Sequence, residues 1–150
     1  MNIILVSPGK NKNSELNILI EDFESRISKF SPISLDFFKV RKNENDEILE
    51  RISKLQGKTV FWVWDETGKE FTSKELSGIL QNTINSSPTN LVLIVGGAYG
   101  LDDRIKNLGK TKGSILALSK MTFTHEMART LVLEQIYRAF SILSGLPYHH

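Results

Sequence analysis

Short runs of branched apolar residues alternate along this chain with segments in which apolar residues recur every three or four positions. The five apolar runs occupy residues 3–6, 33–40, 59–64, 91–95 and 114–118. Runs of this length and composition indicate β-strands, and the segments between them have the period of amphipathic helices. Regular alternation of strand and helix predicts an α/β fold in which a mostly parallel sheet is flanked by helices on both faces.

Several residues mark where the predicted helices begin and end. Residues 72–75, "TSKE", form a capping box, and Thr124 is placed to cap a long helix over residues 125–144. Gly57 and Gly109 fit the ends of two other helices. These signals agree with the alternation, and no stretch of the chain has the composition of a linker.

Size and composition exclude several classes of protein. A length of 150 residues with 40% hydrophobic residues fits one domain over residues 1–150 with its own core. The 19 Lys and Arg residues barely exceed the 17 Asp and Glu residues, so charge alone does not require a nucleic-acid partner. Without cysteine, the chain has no disulfide, thiolate metal ligand or cysteine nucleophile. The first apolar run is too short for a signal peptide or a membrane span, so we expect a cytoplasmic protein.

The stretch "LVLIVGGAYGL", residues 91–101, predicts a buried strand that opens into a glycine-rich turn. Gly96, Gly97 and Gly100 let the backbone approach a neighbour closely, and that neighbour is either a ligand or another part of the chain. Ligands of parallel α/β sheets bind beyond the carboxyl ends of the strands, where residues 119–124 form a second turn. The Gly-x-Gly-x-x-Gly fingerprint of dinucleotide-binding folds is absent. The residues alone leave two alternatives, a ligand cradle and a tight strand-to-helix turn.

The C-terminal third carries a resemblance to a known family. The segments "IVGGAYGL", "LSKMTFTHEMARTLVLEQIYRAF" and "PYHH", together with "NIILVSPGK" and "VWDETGKEFTS", are similar to the ribosomal large subunit methyltransferase H family of the SPOUT superfamily. The match is ordered and runs the whole length of the chain. It implies a SPOUT-type α/β knot, in which the C-terminal part of the chain forms a trefoil knot, and a homodimer packed through that region.

The resemblance also implies a reaction. It is the transfer of a methyl group from S-adenosylmethionine to N3 of pseudouridine 1915, in helix 69 of the 23S rRNA, on assembled 70S ribosomes. Because such a transfer depends on the alignment of donor and acceptor, no metal ion is expected. The alternative is a non-catalytic ribosome-binding or assembly protein that keeps the fold, for which departures from the family pattern at Trp64 and His150 leave room.

In this family, three segments hold the adenosyl part of the cofactor. The matching residues here are Trp64, Gly97, Leu118, Ser119, Lys120, Met121, Thr122 and Phe123. Backbone amides and carbonyls between apolar walls can bind a purine with few special side chains. Without the resemblance, ordinary core positions are the alternative for Leu118, Met121 and Phe123. Trp64 stands where a leucine is expected, which changes the shape of the pocket wall.

Four residues are expected to take part in catalysis: Glu134, Arg138, Tyr148 and His149. Glu134 and Arg138 lie four residues apart in a helix, which by default indicates an ion pair; alternatively, Glu134 orients the guanidinium toward a phosphate or a base edge. Tyr148 and His149 lie at the end of the chain, where residues usually fray, whereas in the family this tail helps to form the cofactor and substrate site. The group that accepts the N3 proton is left open among His149, His125 and Glu134.

Three residues are expected to contact RNA: His125, Arg129 and His150. His125 opens the long helix, where the helix dipole disfavours positive charge, so a mostly neutral imidazole is expected at pH 7. Arg129 lies one turn later and is expected to contact phosphate rather than to join the core. His150 replaces the lysine or arginine that usually follows the Tyr-His pair. Other cations either contact phosphate or are solvated surface charges: Lys10, Lys12, Arg41 and Lys42.

Overall fold

The computed structural model describes residues 1–150 and contains five strands and five helices in strict alternation. The strands are β1 (Asn2–Pro8), β2 (Ile33–Phe38), β3 (Thr59–Glu70), β4 (Asn90–Val95) and β5 (Gly113–Ala117). The helices are α1 (Ser14–Ile27), α2 (Glu44–Ser53), α3 (Ser73–Asn85), α4 (Asp103–Lys112) and α5 (His125–Leu143). The strands form one sheet in the order β2-β1-β4-β3-β5, and every neighbouring pair is parallel. The predicted α/β fold with a parallel sheet flanked by helices is confirmed.

Both faces of the sheet are buried, as the alternation predicts. In β4, Leu91, Leu93 and Val95 belong to a cluster of 17 buried residues that includes side chains of α1, α3 and α5. Val92 and Ile94 belong to a second cluster of 10 buried residues, which includes side chains of α2 and α4. Because successive side chains of a strand point to opposite faces, a strand covered on both sides must be apolar throughout, as the run at residues 91–95 is.

The predicted helix starts are confirmed, but the two predicted glycine ends are wrong. Thr72 and Glu75 form the complete capping box of α3, and the side chain of Thr124 accepts a hydrogen bond from the first turn of α5. Gly109 lies inside α4 and is buried. A Cβ there would be only 2.9 Å from the Ser114 carbonyl oxygen, so this position requires a residue without a side chain. Gly57 lies in the loop after α2 with a φ of +87°, beyond the residue that caps the helix.

β3 is longer than the apolar run that predicts it. Its pairing with β5 is interrupted, since both Trp64 and Lys69 lie opposite Leu116. The intervening residues leave the ladder and rejoin it, which is the behaviour of a bulge. A Cβ on Gly68 would lie 2.7 Å from the backbone of Leu116, so the absence of a side chain at this position lets the bulge lie against β5. The bulge carries Asp65 and Glu66 to the edge of the sheet where β4 and β5 also end.

α5 packs between α1 and α3 on one face of the sheet. Its buried residues include Val132, Leu133, Ile136 and Phe140. Phe140 stacks on Phe30, with ring centroids 5.1 Å apart. No helix of the chain has the length and the apolar composition that a membrane crossing requires.

Candidate cofactor and RNA site

The bulge of β3 and the loops that follow β4 and β5 surround a cavity of about 350 Å³. Seven of the eight predicted cofactor residues line this cavity: Trp64, Gly97, Leu118, Ser119, Met121, Thr122 and Phe123. Lys120 is the exception, since its side chain is exposed and lies outside the lining. The lining also includes residues that the sequence analysis did not single out: Asp65, Glu66, Val95, Tyr99, Leu101 and Ala128. The two predicted turns therefore face each other across one cavity.

The glycine turn is held in place by the start of α2. A Cβ on Gly97 would lie 2.5 Å from Oε1 of Glu44, so the absence of a side chain lets this carboxylate pack against the turn. The side-chain amide of Asn45 donates to the Gly100 carbonyl at 3.4 Å, and its oxygen accepts from the backbone N–H of Asp102 at 2.9 Å. The close neighbour of Gly97 is thus another part of the chain, while the same turn also lines the cavity.

The loop over residues 118–123 leaves most of its backbone hydrogen-bonding groups free. Its one bond of this kind runs from the N–H of Met121 to Oγ of Ser119, at 3.0 Å. Met121 is 71% exposed and Phe123 is 38% exposed, so neither is an ordinary core residue. Free amides and carbonyls beside apolar side chains are the kind of surface that can bind a purine.

Trp64 forms a wall between this cavity and a neighbouring one. The residue is only 8% exposed, and its Nε1 is buried without a hydrogen-bond partner. A buried indole N–H normally has an acceptor, since leaving it unpaired is costly. In this arrangement the Nε1 donor of Trp64 is therefore unpaired and closed to solvent.

The carboxylates that line the cavity lie on the bulge of β3. Glu66 accepts a hydrogen bond from Oγ1 of Thr122 at 2.7 Å, which ties the bulge to the loop after β5. Asp65 pairs with Lys106 at 3.2 Å. Burial alone would raise the pKa of Asp65, but hydrogen bonds from Thr67 and then from Lys106 outweigh it, so its pKa lies below the usual value. No group of three or more His, Cys, Asp or Glu side chains is arranged to hold a metal ion.

His125 lies between the cavity and the loop after β1. It lines the cavity, and its Nε2 would be 3.2 Å from a Cβ on Gly9. Burial, followed by the positive charge of Arg129, lowers the pKa of the imidazole. The sequence prediction of a mostly neutral His125 is confirmed, although the leading cause is burial and not the helix dipole. Asp65 and Glu66 are the acidic residues of the lining, and Glu66, unlike Asp65, has no salt-bridge partner; this arrangement favours a positively charged ligand.

Arg129 is in the core, and the expectation that it is exposed to phosphate is wrong. Its side chain is fully buried at 0% exposure and lies over the ring of Phe37, 4.5 Å from the centroid. The guanidinium donates to Oγ of Ser7 at 2.9 Å, to Oδ1 of Asn11 at 2.8 Å and to the carbonyl of Pro8. Burial lowers the pKa of Arg129 to about 10, so the group stays charged at neutral pH. Its donors are used inside the chain and are not available to RNA in this arrangement.

The four predicted catalytic residues come together near the end of α5. Oε1 of Glu134 accepts from Nη2 of Arg138 at 2.5 Å and from the hydroxyl of Tyr148 at 3.1 Å. The Arg138 guanidinium lies 4.7 Å from the centroid of the Tyr148 ring, and its Nη1 lies 3.4 Å from Nδ1 of His149. The Tyr148 ring also meets Tyr137 edge-on, at 4.7 Å between centroids. The tail is therefore docked on α5 and not frayed, and Glu134 does orient the Arg138 guanidinium.

Within one chain, the catalytic group and the cavity are separate. At a rise of 1.5 Å per residue, Arg138 lies roughly 15 Å along α5 from Ala128, the last residue of this helix in the lining. None of the residues of the C-terminal group lines the cavity. His150 is exposed and makes no side-chain hydrogen bond or salt bridge. One chain therefore contains both predicted parts of the site but does not join them.

Comparisons of the chain with a family model and with individual known proteins agree on one family. The family model described as "Predicted SPOUT methyltransferase" matches residues 1–149. The chain is 38% identical to Ribosomal RNA large subunit methyltransferase H of Flavobacterium psychrophilum, over 100% of this chain and 99% of the relative. It is 35% identical to the protein of the same name from Geobacter metallireducens, again over 100% and 99%.

Among solved structures, the fold is similar to that of Ribosomal RNA small subunit methyltransferase E from Neisseria gonorrhoeae, bound to S-adenosyl methionine. The TM-score is 0.53 at 10% identity, and the match covers 95% of this chain and 66% of that chain. At this identity, the likeness bears on the fold alone. Combined with the family match over the whole chain and the full-length relatives, the sheet and its cavity show that the protein belongs to the ribosomal RNA large subunit methyltransferase H family of SPOUT methyltransferases.

Proposed function

We propose that this protein transfers a methyl group from S-adenosylmethionine to N3 of a pseudouridine in 23S rRNA, on the assembled 70S ribosome in the cytoplasm. The observation that carries the proposal is the cavity between the glycine turn and the loop over residues 118–123, in a chain of this family. Relatives that match its full length are named as ribosomal RNA large subunit methyltransferases. The target base is the one that the family resemblance implies.

The residues of the cavity fit the cofactor in size, polarity and charge. A volume of about 350 Å³ lies within the usual range for small-molecule sites. The free backbone groups of residues 118–123 can bind an adenine edge. When bound, S-adenosylmethionine supplies a methyl group on a positively charged sulfur, and the carboxylates of Asp65 and Glu66 favour that charge.

The C-terminal group supplies the surface that orients the base. Glu134 holds the guanidinium of Arg138 on one side, and the Tyr148 ring lies over it, so that the planar fork is fixed in direction. Glu134 already accepts bonds from Arg138, Gln135 and Tyr148. A histidine is therefore the better acceptor for the N3 proton, and His125 and His149 are the two candidates.

A homodimer would join the two separated parts of the site. The lining of the cavity exposes apolar side chains, among them Tyr99 at 91%, Met121 at 71% and Phe123 at 38%. Exposed apolar groups clustered beside a site are typical of a protein contact. We propose that the C-terminal group of one subunit lies against the cavity of the other, and that the chain after β5 is threaded as the trefoil knot that the family resemblance implies.

Calorimetry and methyl transfer test this function together. In Gly97→Val, the branched side chain collides with Glu44 and occupies the turn, so we expect affinity for S-adenosylmethionine to fall at least about tenfold, or about 1.4 kcal/mol. Gly78→Val is the matched control, because nothing lies within 4 Å of a Cβ at Gly78. Wild-type protein and the control should place labelled methyl in 23S rRNA of unmodified 70S ribosomes. Binding without any methyl transfer would instead support a non-catalytic ribosome-binding protein.

A further inference from the structure

The loops after β1 and β2 carry five exposed cations at one end of the carboxyl edge of the sheet. We refer to them as the basic edge: Lys10, Lys12, Lys39, Arg41 and Lys42. β1 and β2 are neighbours, with Pro8 opposite Phe38, and the N–H of Gly9 donates to the Phe38 carbonyl at 2.7 Å. The two loops therefore leave the sheet side by side, which brings together cations that are about 30 residues apart in the chain.

The carboxylates nearest these loops bind backbone groups and leave the cations free. Oε1 of Glu126 accepts from the backbone N–H of Lys12 at 2.7 Å. Oε1 of Glu47 accepts from the backbone N–H groups of Arg41 and Lys42, at 2.9 Å and 3.0 Å. No salt bridge of the chain involves a side chain of the basic edge. The side-chain charges are thus available to an anion from outside the chain.

Buried side chains fix the loop after β1 in one conformation. Arg129 donates to Oδ1 of Asn11 within the loop and to Oγ of Ser7 and the carbonyl of Pro8 just before it. Since Arg129 is fully buried, these bonds connect the loop to the body of α5. A surface whose backbone is already ordered loses less entropy when it binds a partner than a mobile one does.

The basic edge lies beside the proposed cofactor cavity. β1 pairs with β4, whose end forms the glycine turn, and His125 lies against Gly9 while it lines the cavity. Asp65 and Glu66 lie on the other side, on the bulge of β3. The cations without a salt-bridge partner are therefore on the β2–β1 side of the cavity, whereas the carboxylates that line the cavity itself are on the β3 side.

We propose that the basic edge binds the phosphate backbone of the RNA strand next to the target base, so that this strand approaches the cavity from the β2–β1 side. The inference rests on the proposed function for its partner. Several unpaired cations on adjacent, ordered loops match the spaced negative charges of a nucleic-acid backbone. A strand held there avoids the carboxylates, which repel phosphate and face the opposite side.

Serine substitutions of the basic edge test the inference. The five-site variant carries Lys10→Ser, Lys12→Ser, Lys39→Ser, Arg41→Ser and Lys42→Ser, and a two-site variant carries the first two changes. The matched control is Lys110→Ser with Lys112→Ser, two exposed cations at the end of α4, just before β5 begins at the opposite edge of the sheet. Each variant is compared with the wild type for binding to a single-stranded RNA oligonucleotide, binding of S-adenosylmethionine, and methylation of 70S ribosomes.

In the five-site variant, KM for ribosomes should rise about tenfold or more, while kcat and affinity for S-adenosylmethionine stay unchanged. For a single strand, each phosphate contact contributes about 0.7 to the magnitude of the slope of log affinity against log salt. We expect about three of the five cations to contact phosphate at one time, so the five-site variant should lower this magnitude by about 2. The two-site variant should show part of both effects, and the control should behave as the wild type.

An unchanged salt slope in the five-site variant would overturn the inference. Weaker binding to ribosomes with unchanged binding to the oligonucleotide would also overturn it, since the partner would then be an acidic protein surface. Should the wild type transfer no methyl group, the proposed function fails, but the oligonucleotide slopes still decide whether the basic edge binds RNA.

Discussion

At the scale of single residues, His125 gives the site a measurable dependence on pH. Burial and then the charge of Arg129 lower its pKa below 6.5, so the folded protein takes up the proton less readily than the unfolded chain. Well above pH 6.5 the imidazole is neutral in both states, and its contribution to stability is at its full value. As pH falls toward the lowered pKa, the unfolded chain gains protons first, and this part of the stability is lost.

We therefore expect the free energy of unfolding to decrease between about pH 7 and about pH 5 more steeply in the wild type than in His125→Gln, which has no proton to bind. Urea denaturation at several pH values measures both slopes. The imidazole resonances of His125, followed by NMR, should give a midpoint below 6.5, the ordinary value. Parallel slopes in the two proteins, or a midpoint above 6.5, would contradict the burial of this residue.

Sequence reasoning found most residues that line the cavity but misjudged Arg129. The signal was present, since Arg129 lies three, four and seven positions before Val132, Leu133 and Ile136, which are the buried residues of α5. The prediction gave more weight to the charge of Arg129 than to its helical spacing from these buried residues. Glu44 was missed for a different reason: its contact with Gly97 joins two segments far apart in the chain, and nothing local in the sequence signals such an approach.

At the scale of elements, Arg129 connects α5 to the end of β1. Three oxygens from Ser7, Pro8 and Asn11 accept its hydrogen bonds in a buried position. Without the guanidinium these acceptors stay buried and unpaired, and each such group costs about 1 to 3 kcal/mol. The connection fixes the loop that carries Lys10 and Lys12, so the stability of this junction and the geometry of the basic edge depend on one side chain.

Arg129→Met keeps much of the apolar stem but removes every donor, and we expect it to lower the free energy of unfolding by about 2 to 4 kcal/mol. Arg129→Lys should recover only part of this loss, because an ammonium cannot reproduce the planar fork. Urea denaturation at pH 7 gives the values. Arg26→Met, at an exposed ion pair with Asp22, is the control and should change stability far less. Equal losses in the two methionine variants would refute the structural role assigned to Arg129.

Periodicity and caps predicted the five strands and four of the five helices, because those signals are local; for α4 the sequence indicated only an end at Gly109. The bulge of β3 was not predicted, since residues 65–68 form a polar stretch and the chain rejoins the ladder only through contact with β5. Gly109 was misread for the same reason. Its neighbours, Ser114 and Val63, require a small residue inside α4, and this requirement comes from packing and not from the helix itself.

At the scale of the whole molecule, the separation between the cavity and the C-terminal group is the main structural fact. The cavity meets α5 at His125 and Ala128, whereas Glu134 lies at the middle of this helix and Arg138 one turn later. A rigid helix keeps these positions at a fixed distance from each other. The homodimer proposed above would join the two parts, with each site using the cavity of one subunit and the C-terminal group of the other.

Complementation between two inactive variants tests this account most directly. Gly97→Val disables the cavity and Arg138→Ala disables the C-terminal group, so each homodimer should fail to methylate 70S ribosomes. In a purified heterodimer with shared sites, one site has the defective cavity of the Gly97→Val subunit and the defective C-terminal group of the Arg138→Ala subunit. The other site has the intact cavity of the Arg138→Ala subunit and the intact C-terminal group of the Gly97→Val subunit. If the sites are shared between subunits, the heterodimer recovers about half of the wild-type activity, because a two-fold dimer has two equal sites. A folded heterodimer that transfers no methyl group would contradict it.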